Sequence, residues 1–396
     1  MAESSYDLVT VGGGMAGSAL AKAMAERGAR VLVLEREPHF KDRVRGEMLS
    51  PWGVAEAREL GVLDLLKRTC AHEVSMVEMG TGPRNLASTT QQQLPALTFA
   101  HPEMQETLIS AAETAGAEVR RGVTVERIEP GHPGTVLIRG ASSERISARL
   151  VVGADGRGSL CRKCADFSVR EAPQDTLFAG VLLSGLSASE DLVYFIFNAE
   201  LGTIVGFVPI GKNRFRSYFG YPKALSYRLQ GEQMVNAFIS ESVKTFPGAR
   251  QLYEGAKCCG PLASFDASES WVQHPYRDGV ALIGDAAGTS DPSFGQGLNL
   301  GLRDVRVLRD ELSRNSDWDA AGHQYADQHG KYFVDCHTVE GWLRTLFQDP
   351  SPEAAMARQK AMPLIGQDPT RVPDHLFSGP ELPVNEQVRA RFFGEA

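Results

Sequence analysis

Tyr6-Asp7-Leu8-Val9-Thr10-Val11-Gly12-Gly13-Gly14-Met15-Ala16-Gly17 runs an apolar strand directly into G-x-G-x-x-G. A strand, a glycine turn and a helix in that order make a seat for a dinucleotide diphosphate. Gly12 takes the tight turn, Gly14 lets the pyrophosphate approach the main chain, and Gly17 lets the helix pack close on the strand. Phosphates placed there face the unpaired amides of the first helical turn, Met15 and Ala16 included, and the positive end of the helix.

In a chain with 40 glycines the fingerprint alone is weak, and its surroundings carry the reading. Ser18 to Arg27 reads as an alanine-rich helix closed by Gly28, and Ala29 to Leu34 as a buried second strand ending in Glu35. Glu35 stands 21 positions after Gly14, where a carboxylate can accept from ribose hydroxyls.

The bulk numbers bound the function. At 396 residues the chain can build two or three lobes around a large core. A net charge of -8 argues against coating nucleic acid, so the expected partner is a small-molecule substrate. No apolar run reaches the length of a membrane span. The opening Met1-Ala2-Glu3-Ser4-Ser5 has no basic, cleavable leader pattern, so a cytoplasmic location is expected, with the six cysteines reduced. Cys161-x-x-Cys164 lacks a second Cys or His pair and reads as coincidence; no metal site is read, and the oligomeric state is left open.

Along the chain the patterning predicts an α/β fold. Residues 1–173 form a first part of the dinucleotide-binding domain, with a helix from His101 to Gly116 and a strand at Leu150-Val151-Val152. Residues 174–268 read as an inserted antiparallel lobe, with strands at Leu192 to Phe197, Thr203 to Val208 and Arg214 to Tyr221. Residues 269–349 return to the first domain and add helices near 296–313 and 318–348, and the Pro-rich tail 350–396 reads as partly irregular.

Two later segments narrow the cofactor. The first is Val151-Val152-Gly153-Ala154-Asp155-Gly156-Arg157, a strand end and acidic turn, for which a plain Asp-capped turn is the competing reading. The second runs from Gly279 through Gly284-Asp285-Ala286-Ala287-Gly288 to Pro292-Ser293-Phe294-Gly295-Gln296-Gly297-Leu298-Asn299. With the opening fingerprint, this ordered triple resembles the class A flavoprotein monooxygenases, the para-hydroxybenzoate hydroxylase-like FAD-dependent aromatic hydroxylases, from Asp7 to about Leu312.

The resemblance implies a Rossmann-like FAD-binding domain with an inserted antiparallel substrate lobe and C-terminal helices. It implies FAD as cofactor and NADH or NADPH as a transient co-substrate. The implied cycle captures O2 at flavin C4a as a hydroperoxide and inserts one oxygen atom into a small aromatic or polycyclic metabolite, by hydroxylation or epoxidation. Asp285 would accept from ribityl hydroxyls, and Gly295, Gln296, Gly297, Leu298 and Asn299 would open a helix toward the flavin N1/C2 region. Arg43-Val44-Arg45-Gly46-Glu47-Met48-Leu49 is similar to the family's segment that crosses the pyrophosphate and flanks the flavin; Arg45 is the first choice for a bidentate phosphate contact, Arg43 the second, and Arg36 follows the ribose acid. His101 stands where many members carry Arg or Gln, and Gly288 where many carry His. The Gly288 variant also occurs in geranylgeranyl-type reductases, so reduction of carbon-carbon double bonds is an alternative, and a non-catalytic FAD-binding protein is another. The halogenase stretch W-x-W-x-I-P is absent.

Substrate contacts are expected from Tyr194, Phe207, Arg214, Arg216 and Tyr218 on the lobe and from Pro292 on the loop. Alternation puts Arg214, Arg216 and Tyr218 on one face, which suits an anionic or phenolic substrate or is an ordinary solvent-facing strand face. No residue is assigned to acid-base chemistry.

Overall fold

The period-2 alternation of the opening strands decides the layers. The computed structural model describes residues 4–80, 82–139, 144–173, 175–225 and 227–396. Strands Val280–Leu282, Glu144–Gly153, Ser4–Val11, Val31–Glu35 and Glu118–Arg121 lie side by side, all parallel, with Val9 opposite both Val151 and Leu32. Leu8, Val31, Val33, Leu150 and Val152 point to one face and bury against helices Met15–Ala25, His101–Thr114 and Gly297–Arg314. Val9, Leu32, Leu34, Val151 and Leu282 point to the other, covered by the hairpin Val125–Glu129 and Gly134–Ile138 and by the short helix Leu160–Cys164. Burial on both faces is why these strands read as continuous apolar runs.

The glycine turn works as the sequence reading requires. A side chain at Gly12, whose φ is +105°, would sit 2.3 Å from the Ala154 carbonyl oxygen, and one at Gly17 would sit 2.0 Å from the Gly12 carbonyl oxygen. These two glycines let first strand, first helix and the 153–155 turn touch through their backbones.

The second sheet has the order Lys257–Cys258, Thr176–Ser184, Arg214–Pro222, Thr203–Pro209, Leu192–Asn198, Met76–Glu78, Arg84–Asn85, with Ala263–Asp266 also on Thr176–Ser184. Met76–Glu78 pairs in parallel with Leu192–Asn198, so a piece of chain a hundred residues upstream of the inserted lobe completes its sheet. The sequence reading placed a strand near Val74 to Glu78 but not in this sheet. One face of the sheet buries Phe207, Phe215 and Phe219 under helix Val235–Thr245. The opposite face roofs the carboxyl ends of the parallel strands.

The tail corrects the expectation of irregular chain. It forms helices Pro352–Gln367, His375–Ser378 and Glu386–Phe393. Pro352 occupies the first helical turn after Ser351, whose side chain accepts from the Ala354 amide, and Asn385 caps the last helix on Val388. Phe377, Phe392 and Phe393 then pack with Val339 and Leu343 of the long helix Trp318–Phe347. Among the described residues, no helix is long and apolar enough to cross a membrane.

Gly17→Ala is expected to lose about 1–3 kcal/mol of unfolding free energy, because the added methyl has only rigid backbone to push against. Gly366→Ala, in helix Pro352–Gln367 with nothing within 4 Å of the added carbon, is expected to gain up to ~1 kcal/mol instead. Urea unfolding of the two variants checks the contrast.

Candidate functional site

A cavity of about 600 Å³ opens at the carboxyl ends of the parallel strands, beneath the second sheet. That position and size suit a ligand held at the strand ends of an α/β sheet. Three glycines leave it room. A carbon added at Gly14 would meet only the Gln105 amide nitrogen, at 3.6 Å; one at Gly297 would meet Asp285 at 3.8 Å; one at Gly295 would meet nothing within 4 Å. All three line the cavity, as do Met15, Ala16 and Leu298. Gly12 lines it too, while Gly17 lies behind it as a packing glycine.

Glu35 lies at the wall and is buried. Its two oxygens accept from the Gly13 and Glu37 amides at 2.7 and 2.8 Å, which keeps the loop in shape and leaves each oxygen a further lone pair. Asp155 accepts from the Ser159 hydroxyl and the Leu160 and Cys161 amides, at 2.6, 2.6 and 3.2 Å. It is therefore a turn cap as well as a lining residue.

The arm after Glu35 bends at Val44, a buried β-branched residue at φ +52°, a conformation such residues rarely adopt. The bend is accommodated by Gly180, where a side chain would come within 2.4 Å of Val44. Arg43 pairs with Glu37, Arg36 is mostly exposed, and Arg45 lies 3.8 Å from Asp285 across the cavity mouth. His101 donates from Nδ1 to the Gly46 carbonyl at 2.7 Å, and burial lowers its pKa, so the ring is a neutral fastener of the arm. Arg157, which the reading did not single out, also lines the cavity.

Gly284, at φ +58°, is held from behind. Its amide donates to Asp304 at 2.7 Å, and buried Asp304 also accepts from His329 at 2.8 Å and from the Tyr332 hydroxyl. The loop before Gly295 is held by Arg344, which pairs with buried Asp291 inside a cluster that includes Glu269, His337 and Glu340. Within that cluster burial raises the Glu340 pKa well above the carboxylate range. Ser293, on this loop and at the cavity wall, is buried with its hydroxyl oxygen unpartnered.

Several expected side chains do not reach the cavity. The Gln296 carbonyl oxygen accepts from Trp52 Nε1 at 3.0 Å and its amide donates to Phe294 and Leu376 carbonyls; Asn299 accepts from the Ser50 amide at 3.1 Å. Buried amides must find partners, and here these two clamp the helix start to Ser50 and Trp52 rather than facing a ligand. Tyr194 and Phe207 lie edge-on to one another on the outer face of the second sheet, one residue out of phase with the cavity-facing Phe195, Gly206 and Val208. Arg214 is paired with Glu103 at 3.1 Å. Arg216 is fully buried, its Nε donating to Glu47 at 3.0 Å and its Nη2 to Asp42 at 2.7 and 2.8 Å. Only Tyr218 and Pro292 of the expected substrate residues line the cavity.

Glu47 lies inside the arm segment that the resemblance marks, one step beyond Gly46, but its neighbours in sequence assign it no role of its own. Its carboxylate is buried, binds Arg216, and accepts the Tyr218 hydroxyl. Burial raises its pKa to about 7 against the pull of Arg216, and the same burial beside Glu47 lifts Tyr218 well above its ordinary value.

Comparison with known proteins agrees with this geometry. The family model described as FAD binding domain matches residues 5–323. The 6-methylpretetramide 4-monooxygenase of Streptomyces rimosus is 28% identical over 325 residues, covering 76% of this chain and 73% of the relative. The 3-demethoxyubiquinol 3-hydroxylase of Escherichia coli is 27% identical over 342 residues, covering 82% and 84%. The crystal structure of p-nitrophenol 4-monooxygenase from Pseudomonas putida superposes with a TM-score of 0.78 at 22% identity, covering 95% of this chain and 97% of that one.

The raised pKa of Glu47 has a sign. Between about 4.5 and about 7 the folded protein keeps a proton that the unfolded chain has released, so this group's contribution to stability is present at low pH and is lost as pH rises through 7. From about pH 5 to about pH 8 the native protein is expected to lose up to ~3 kcal/mol relative to Glu47→Gln, as read from urea unfolding at each pH.

Proposed function

The chain belongs to the FAD binding domain family, and on that premise we propose that it is an FAD-dependent, NAD(P)H-consuming monooxygenase. It inserts one atom of O2, by hydroxylation or epoxidation, into a small aromatic or polycyclic metabolite. The observation that carries this reading is a single cavity whose walls change character along its length. Gly14, Glu35 and Arg45 lie at one part and an apolar wall from the second sheet at another, with Gly295 and Gly297 leaving space at the helix start between the two lobes. The names of the relatives describe oxygenation of ring compounds, which favours oxygen insertion over double-bond reduction.

FAD, reduced by NADH or NADPH, supplies the activation of O2. The residues do the rest. The amides of Gly14, Met15 and Ala16 and the guanidinium of Arg45, with Arg43 and Arg36 at the rim, receive the diphosphate; Glu35 receives the adenosine ribose, and Asp285 the ribityl chain. The unpartnered Ser293 hydroxyl and the open faces of Gly295 and Gly297 leave room and a polar contact for the ring system. Residues 1–173, apart from strands Met76–Glu78 and Arg84–Asn85 that complete the lobe's sheet, serve with 269–349 as the FAD-binding domain, 174–268 as the substrate lobe, and 350–396 as its helical buttress. The apolar roof excludes water where oxygen transfer takes place. The expected setting is the cytoplasm, where NAD(P)H is at hand.

Purified protein is expected to be yellow, to oxidise NADPH or NADH faster when a ring substrate is added, and to release an oxygenated product. Colourless protein, or anaerobic saturation of a double bond without oxygen uptake, would overturn the reading. Gly14→Val is expected to fold, by circular dichroism, yet to retain less than a tenth of the flavin, since its side chain would fill the space left for the diphosphate.

A further inference from the structure

We propose that Glu269, His337 and Glu340 form a site for one divalent transition-metal ion of the zinc class, a structural ion that ties the chain around residue 269 to the long helix Trp318–Phe347. The proposal stands apart from the monooxygenase reading. None of the three is among the residues lining the cavity, so the ion serves the fold and not the oxygen chemistry. His337 and Glu340 stand three positions apart on the helix, which puts both on one face of it. Glu269 precedes strand Ser270–Val272, whose Ser270 carbonyl accepts from the Thr289 amide at 2.8 Å and whose Trp271 bridges to Gly288. No spacing in the sequence marks the trio, because its third member lies far upstream of the other two.

Each of the three residues brings one ligand atom to within 4.8 Å of the other two. A tetrahedron of metal–ligand bonds of about 2.1 Å has edges of about 3.4 Å. His337 Nδ1 and Glu269 Oε1 are 3.4 Å apart, yet Nδ1 is buried without a hydrogen-bond partner. Two ligand atoms at that distance with no hydrogen bond between them suit a shared cation, and Nδ1 has a lone pair to give when the ring hydrogen sits on Nε2. Glu340 points to a ligand most directly. It is 3% exposed, and neither of its carboxyl oxygens has a hydrogen-bond partner among the described residues. A buried carboxyl group left in that state is costly unless something else fills its lone pairs. The half-exposed His337 ring leaves a way in from solvent, and water completes the coordination.

The local charge favours a cation. Three carboxyl groups, those of Glu269, Asp291 and Glu340, lie together. Arg344 is committed mainly to Asp291, its Nε donating at 3.0 Å, and stands 3.8 Å from Glu269. Burial, with Glu269 and Asp291 as neighbours, holds the Glu340 pKa well above the carboxylate range and outweighs Arg344 and the nearby Asp291 backbone. Without an ion, a proton on Glu340 relieves the crowding. A divalent ion takes that proton's place and draws Glu269 and His337 to the same point. Two carboxylates and an imidazole suit zinc, whereas calcium takes about six to eight oxygen ligands, more than this trio supplies.

The test titrates FAD-loaded protein, stripped of metal with EDTA, with ZnCl2 by calorimetry. It uses a Cys258→Ser/Cys259→Ser background, so that these exposed thiols do not compete. One zinc ion per chain is expected, bound at least ~10-fold more tightly than calcium from CaCl2. Its binding is expected to raise the melting temperature. CoCl2 in place of ZnCl2 is expected to give the absorption of a tetrahedral site at wavelengths longer than the flavin band. Glu340→Gln, His337→Ala and Glu269→Gln should each weaken zinc binding at least ~10-fold while circular dichroism and flavin content stay native. Glutamine has the shape of a protonated Glu340, so if that residue were only a neutral buried acid, Glu340→Gln would leave zinc binding unchanged. The surface pair His274 and His323, with ring nitrogens 2.9 Å apart, is the control, and His274→Asn is expected to leave the titration as it was. No zinc uptake, equal binding of calcium, or uptake that survives Glu340→Gln and is lost with His274→Asn would overturn the proposal.

Discussion

The buried guanidinium of Arg216 is the joint on which the site depends. It comes from the second sheet and holds Asp42 and Glu47, both on the arm that leaves the first domain after Glu35. Two carboxylates around one guanidinium leave an excess negative charge in a place with little solvent. Burial strips the Glu47 carboxylate of water and raises its pKa to about 7 against the pull of Arg216, and Asp42 on the same guanidinium adds a smaller push in the same direction. Breaking a buried pair of this kind by removing one partner strands the other, which is why the arm and the sheet stay together. The same joint places Tyr218, two residues along the strand, against Glu47.

A second constraint is steric and sits at the other end of the cavity. The first strand, first helix and the 153–155 turn approach so closely that Gly12 and Gly17 leave no space for a side chain. Only Gly14 of the three has its free face toward the cavity. The fingerprint thus combines two jobs that the spacing alone does not separate: two glycines for the protein's own packing and one for a ligand. Behind the second glycine turn, Asp304 plays the corresponding part with hydrogen bonds, fixing Gly284 and with it the direction of Asp285.

The first domain was legible because its signals are local. The strand-turn-helix at Gly12, Glu35 at a strand end and the glycines at 295 and 297 each depend on a few neighbouring residues, and each was placed at the cavity by the sequence. The lobe was legible as strands but not as a wall. A strand shows its two faces by alternation, yet which face meets the cavity depends on the helix Val235–Thr245 packing over the other side, a contact distant in sequence. Tyr194 and Phe207 were one residue out for that reason. Gln296 and Asn299 failed differently: they sit at the right loop, but their amides are satisfied by Trp52 and Ser50, some 250 residues upstream, which no local pattern reveals. The tail was misread because proline was counted as a breaker, whereas Pro352 occupies the first helical turn that proline favours.

The partition of charge along the cavity follows from these placements. Arg36, Lys41, Arg43, Arg45 and Arg157 gather around the part bounded by the glycine turns, where they offset the acids Glu35, Glu37 and Asp285, while the sheet contributes no cationic side chain among its described lining residues. A dinucleotide carries its negative charge on the diphosphate and its apolar reactive ring at one end, so the cavity and such a ligand agree in one orientation only. Reversing the ligand would bring phosphates beside Glu47 and strip them of guanidinium partners, a loss of charge-assisted hydrogen bonds and an added repulsion in the same move. The cations near the glycine turns each stand beside an acid of the arm or of the second turn, Arg36, Lys41 and Arg43 at Glu37 and Arg45 at Asp285, whereas Arg214 and Arg216 of the sheet are committed to internal carboxylates.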